Sequence, residues 1–356
     1  MSHLSILMGL FFGGLFFDEI SASKKNQYIT MKVFINKQIP EIGIHMLKDA
    51  GFEIFIPDHD NLSREEWIGY CQSHDMILSV GTEFKFDKDF FNECPNLKAI
   101  ALYSVGFDHV DIQEADRRKI PVGNTPDVLS KATSDIAFLL MQSVARRASY
   151  NYEKVKSGNW GDFDPLHALG QELYGKTLGI FGLGRIGYEM AKKSKAAFDM
   201  DIIYHNRHRN EEAETELDAK YVSFEELISQ SDVLSIHANF KPEQTELFNA
   251  SVFEKMKENA IFINTARGGF HNQKDLYAAL TEHKIWGAGL DVTNPEPIYK
   301  DDPILELSNV CVLPHIGSAT VEARNGMAKI AAENLIAVSK GEKMPAAANP
   351  EIYSER

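Results

Sequence analysis

The sequence predicts an α/β protein built on two parallel sheets. Three observations predict it. Strand-like and helix-like stretches alternate from Met31 to Ser339, the order that builds βαβ units. A glycine turn, Gly182-Leu183-Gly184-Arg185-Ile186-Gly187, stands in mid-chain between a strand-like run and a helical run. At 356 residues the chain has the length of about two domains.

In the first half, short apolar runs predict strands at 33–36, 52–56, 76–80, 97–103 and 120–124, with a helix at 41–50. A long helix is expected over 133–150, because Ile136, Leu139, Leu140 and Val144 recur near period 3.6. Residues 158–170, rich in Gly, Trp and Pro, read as a loop. The second set of strands is expected at 177–181, 201–205, 233–237, 260–264, 288–292 and 310–313, followed by a last helix over 319–339. Six strands opening on a phosphate turn describe a Rossmann-type sheet. Gly182 permits the tight turn, Gly184 lets backbone approach a pyrophosphate, and Gly187 lets the helix pack close to the strand. With Arg185 and Ile186 they form the expected phosphate cradle of a dinucleotide.

Bulk properties narrow the partners. A formal net charge of −14 argues against nucleic acid. Cys71, Cys94 and Cys311 are few and scattered, which indicates a reducing, cytoplasmic setting and gives no metal-ligand spacing. Residues 1–30 are expected to be a non-core extension preceding a natural start at Met31. The apolar run from Ile6 to Phe17 has no basic residue before it and falls short of the ~20 residues of a membrane span. A weakly membrane-associating segment is the competing reading of that run.

Ligands of open parallel sheets sit beyond the carboxyl ends of the strands. Arg267, Glu296 and His315 stand at or just past three such ends. A guanidinium can hold a carboxylate or polarise a carbonyl. An imidazole can pass a proton near neutral pH, and a carboxylate on its other nitrogen fixes the tautomer. Beside a nicotinamide, this trio suits reduction of a 2-keto acid. Singly, Arg267 also reads as a surface charge, Glu296 as a turn residue and His315 as a loop histidine.

The joint pattern is more specific. The chain resembles the D-isomer-specific 2-hydroxyacid dehydrogenases from about Met31 to Pro350. The matching stretches are Val105-Gly106-Phe107-Asp108-His109-Val110-Asp111, Asn124-Thr125-Pro126, the glycine turn, Ser231-Asp232-Val233, Asn264-Thr265-Ala266-Arg267-Gly268, Gly289-Leu290-Asp291-Val292 with Glu296-Pro297, and Pro314-His315-Ile316-Gly317-Ser318. The resemblance implies that His315 is the acid/base, Glu296 its partner carboxylate and Arg267 the substrate-binding arginine. It implies carboxylate binding by backbone at Val105 and Gly106, with Val80 and Gly81 on a neighbouring substrate loop. Thr265, Ala266, Asp291, His315 and Gly317 are implied to line the cofactor. The implied architecture is two Rossmann-like/flavodoxin-like domains around a cleft: a substrate domain at 31–129, a dinucleotide domain at 130–317, and a C-terminal helix at 318–350 returning to the first. Members are usually homodimers. Asn239, Asn272-Gln273 and Thr293 depart from the commonest family pattern, which bears on the substrate more than on the reaction.

An NAD-type fold places an acid about 20 residues past the glycine turn, to accept from the ribose 2′-hydroxyl. Here that place is held by Asn206, followed by Arg207-His208-Arg209. Removing the acid removes repulsion of a 2′-phosphate, and Arg207 and Arg209 can pair with it. NADP(H) is therefore expected over NAD(H), and those arginines read alternatively as solvated loop charges. Within the family the motifs look most like the glyoxylate/hydroxypyruvate reductase branch, with 2-ketogluconate reductases close by. NAD-dependent D-lactate or D-3-phosphoglycerate oxidation, and a dinucleotide-sensing corepressor-like scaffold, are the rival expectations.

Overall fold

The computed structural model describes residues 30–354. The expectation for residues 1–30 thus lies outside the described residues, apart from Thr30 itself. The described residues build two parallel sheets. The first contains β1 (Lys32–Ile35), β2 (Glu53–Phe55), β3 (Met76–Ser79), β4 (Ala99–Leu102) and β5 (Val122–Gly123), in the order β2-β1-β3-β4-β5. The second contains β6 (Thr177–Phe181), β7 (Asp201–His205), β8 (Lys220–Tyr221), β9 (Val233–Ile236), β10 (Ile261–Asn264), β11 (Gly287–Leu290) and β12 (Val310–Val312), in the order β12-β11-β10-β9-β6-β7-β8. Every strand pairing within these sheets is parallel. The central strands are buried on both faces, as their unbroken apolar runs require.

Two elements differ from expectation. The second sheet has a seventh strand, β8, at its edge beside β7. Two exposed residues, Lys220 and Tyr221, carry no alternation that a sequence pattern can register. The long helix also breaks, into Ser130–Ala145 and Ala148–Lys156, with Arg147 between them at φ 50°. The cause is tertiary. Gln171 N–H donates to the Ala145 carbonyl at 2.8 Å, and the Arg147 guanidinium lies 4.8 Å from the Trp286 ring centroid.

The last helix, Val321–Ser339, opens on Thr320, whose side chain accepts from Ala323 N–H. Its Ala-rich face packs into the core of the first sheet. Ala323, Met327, Ala328, Ala331 and Leu335 join Val33, Ile35, Ile44 and Leu47 there. Gly43 of helix Glu41–Asp49 meets this helix closely enough that a Cβ would lie 2.9 Å from the Ala328 carbonyl oxygen. Further along, Asn349 accepts from Val122 N–H at 2.8 Å, which ties the chain end to β5. The carboxyl ends of both sheets therefore belong to one compact unit from Met31 onward. Among the described residues, no helix is long and apolar enough to cross a membrane.

Candidate active site

Arg267, Glu296 and His315 follow β10, β11 and β12, three consecutive neighbours at one edge of the second sheet. That adjacency is what gathers residues distant in sequence. His315 Nδ1 donates to Glu296 Oε1. A carboxylate can only accept, so this contact leaves Nε2 to face the other way. His315 itself sits at φ 52°, a region uncommon for a residue with a side chain. It is held there by Asp291, whose oxygens accept from Ile316 N–H at 2.8 Å and Gly317 N–H at 2.7 Å. Asp291 is 1% exposed. Burial pushes its carboxyl group up, against the two N–H donors that favour the carboxylate. Each Asp291 oxygen thus accepts one N–H from the backbone that carries His315. Gly317 is buried against it, where a Cβ would lie 3.1 Å from Asp291 Oδ2.

Arg267 reaches across to the loop after β4. Its Nε donates to Asp108 Oδ1 at 3.1 Å and its Nη1 to the Ala266 carbonyl at 2.8 Å. Gly106 lies so close that a Cβ there would stand 1.9 Å from Arg267 Nη2. Asp108 thus belongs to the site, although the sequence singled it out only as part of a matching stretch. The N–H groups of Gly81, Val105 and Gly106 have no acceptor among the described residues, which suits a carboxylate-binding backbone. Val80 is corrected. Its N–H donates to Asn36 Oδ1 at 2.7 Å and its carbonyl accepts from Asn36 Nδ2 at 2.8 Å, so it shapes the loop and has no donor left for a ligand.

The glycine turn follows β6. Gly182 has φ 96°, and a Cβ there would lie 2.4 Å from Ala238 N. Gly187 approaches the turn, where a Cβ would lie 2.7 Å from the Gly182 carbonyl oxygen. Gly184 faces open space. The N–H groups of Arg185, Ile186 and Gly187, in the first turn of helix Arg185–Phe198, have no backbone acceptor among the described residues. Open space beside unpaired helix N-terminal donors fits a pyrophosphate. Arg185 Nε pairs with Asp127 Oδ1 at 2.5 Å, a link from the turn to the segment after β5. Thr265 is buried and Ala266 partly buried at the end of β10. Thr265 Oγ1 lies 3.5 Å from His237 Nδ1.

A cleft of ≈ 460 Å³ runs from this turn between the ends of β7 and β9, past Val105, Asn206, Arg207 and Asn239. Two residues expected to choose the cofactor have other partners. Asn206 Oδ1 accepts from Leu183 N–H at 2.6 Å, and its Nδ2 donates to the Leu183 carbonyl at 3.2 Å. The amide is a brace for the glycine turn; a carboxylate could not make the second bond. Arg209 turns away to Glu214, with Nε to Oε1 at 2.9 Å and Nη2 to Oε2 at 2.6 Å. Paired in this way, Arg209 is not among the residues that line the cleft. Arg207 lines the cleft and makes no ion pair among the described residues. Of the positions that depart from the family pattern, Asn272 caps helix Gln273–Thr281 by accepting from Asp275 N–H at 3.0 Å.

Residues 138–317 match the family model described as D-isomer specific 2-hydroxyacid dehydrogenase, NAD binding domain. A glyoxylate reductase of Thermococcus litoralis is 45% identical over 328 residues, covering 91% of this chain and 98% of that protein. The chain belongs to the D-isomer-specific 2-hydroxyacid dehydrogenase family. It is an NAD(P)-dependent oxidoreductase that interconverts a 2-keto acid and a 2-hydroxy acid. Among solved structures, this dehydrogenase superposes on a Thermus thermophilus protein with TM-score 0.83 and 37% identity, over 89% of this chain and 100% of the other. It also superposes on an NADPH-dependent glyoxylate/hydroxypyruvate reductase of Sinorhizobium meliloti, solved with NADP and malonate. There the TM-score is 0.77 and the identity 28%, over 89% of this chain and 96% of the other.

Proposed function

We propose that the enzyme reduces glyoxylate or hydroxypyruvate to the D-2-hydroxy acid, with NADPH preferred to NADH. The observation that carries the reading is the His315–Glu296 contact, one strand away from Arg267. The substrate carboxylate rests on the free N–H groups of Gly81, Val105 and Gly106, and Arg267 polarises the keto oxygen. A nicotinamide held at the glycine turn would supply the hydride. His315 gives a proton to the oxygen as the carbonyl becomes an alcohol, and Glu296 orients the ring through Nδ1. The intact trio and the turnover implied by reductase relatives favour an enzyme over a sensing scaffold. The NADPH preference rests on the missing acid at position 206 and on unpaired Arg207.

One screen tests this reading. Glyoxylate, hydroxypyruvate, 2-ketogluconate, pyruvate and phenylpyruvate are each assayed with NADPH and with NADH. The highest kcat/KM is expected for glyoxylate or hydroxypyruvate with NADPH. Equal values for the two dinucleotides, or a preference for NADH, sink the cofactor assignment. Pyruvate leading the series sinks the substrate assignment.

We infer that the homodimer contact falls on residues 152–166. Tyr152, Val155, Trp160, Phe163 and Leu166 are all exposed, Phe163 to 92%, a concentration of apolar surface that marks an interface. The same stretch carries Lys154 and Lys156 with Glu153, Asp162 and Asp164, on a chain of net charge −14. This local balance of charge suits a second copy. Sedimentation is expected to give a dimer for the native chain and a monomer for Trp160→Asp/Phe163→Asp. A native monomer overturns the assignment.

A further inference from the structure

With Arg209 paired to Glu214, Arg207 is the one arginine after β7 that lines the cleft. The strand order β9-β6-β7 places the glycine turn between two loops. Arg207 stands on the β7 side of the cleft and Lys241 on the β9 side, and both line it. Lys241 is exposed and makes no ion pair among the described residues. His237, also in the cleft wall, is uncharged at neutral pH because burial pushes its imidazole down to about 3. Asp127 is the cleft's one lining acid, and Arg185 already neutralises it. A lysine is a flexible point charge suited to a phosphate approached from the side opposite an arginine fork.

We propose that Lys241 is a cofactor-specificity residue, closing on the 2′-phosphate of NADPH from the face opposite Arg207. This rests on the NADPH reading above. It assigns the second cation to a loop more than thirty residues beyond the fingerprint position at Asn206. The contact discriminates by charge, so it acts on ligands carrying a 2′-phosphate and not on their counterparts.

Direct binding tests it with the full chain. NADPH and NADH are titrated by fluorescence, and adenosine 2′,5′-bisphosphate and AMP by calorimetry. Lys241→Met is expected to weaken NADPH and adenosine 2′,5′-bisphosphate about tenfold, the scale of one charge-assisted contact, leaving NADH and AMP within about twofold. Lys241→Arg is expected to restore most of the loss, and Arg209→Ala to change neither pair. If the native chain prefers NADPH and Lys241→Met binds it equally well, the role of Lys241 is overturned while the NADPH reading stands. Equal weakening of NADPH and NADH also overturns it, because that is a structural effect. A native chain that binds both dinucleotides alike removes the NADPH reading, and this assignment with it.

Discussion

His315→Ala is expected to lower kcat by about 10²–10⁴, the usual loss for a missing general acid, with the NADPH dissociation constant within about twofold of native. The separation follows from the topology. His315 lies beyond β12 at one edge of the second sheet, whereas the dinucleotide cradle follows β6, four strands away. Nothing in the glycine turn bonds to His315, and among the described residues its one side-chain partner is Glu296. Alanine also accepts the left-handed backbone at position 315 less readily than histidine. The Asp291 bonds to Ile316 and Gly317 hold that loop independently of the imidazole. Asp291→Ala should therefore reproduce part of the loss by letting His315 drift. Measured kcat close to native for His315→Ala would remove the proton-donor role.

The parts of the site written in sequence are those fixed by strand order. Arg267, Glu296 and His315 converge because β10, β11 and β12 are neighbours, and apolar runs followed by polar residues announce each strand end. The glycine turn was legible for the same reason. Competition among polar side chains was not. Arg209 is five residues from Glu214, and the path into helix Glu211–Leu217 brings that carboxylate to its guanidinium. Asn206 was read by what it lacks, a charge. Its actual partners are both backbone groups of Leu183, exposed by the tight turn. Asn36 takes both polar groups of Val80 from 44 residues away. Each of these choices is settled by distances of a few ångströms that depend on the folded chain. β8 and the break at Arg147 depend likewise on contacts with remote elements.

The glycine turn yields the other large effect, and it separates two roles within one motif. Gly182→Ala is expected to lower Tm and to weaken NADPH and NADH alike by at least about 100-fold. The added Cβ would lie 2.4 Å from Ala238 N and 2.5 Å from Ala238 Cα, atoms of backbone that cannot swing aside. The native φ of 96° adds strain for any side chain, roughly 1–3 kcal/mol for such a conformation. Relief requires the turn to open, which breaks the Asn206 brace on Leu183 and misaims the N–H groups of Arg185 and Ile186. Gly184→Ala differs in kind. A Cβ there meets nothing within 4 Å of the protein, so the native Tm is expected. Yet it occupies the open space into which the pyrophosphate must come, so binding of both dinucleotides should fall comparably. Thermal melts with and without NADPH, alongside binding titrations, distinguish the two. If Gly184→Ala binds NADPH with native affinity, the pyrophosphate is not cradled at this turn. If Gly182→Ala keeps its Tm, the close approach to Ala238 is not what demands glycine.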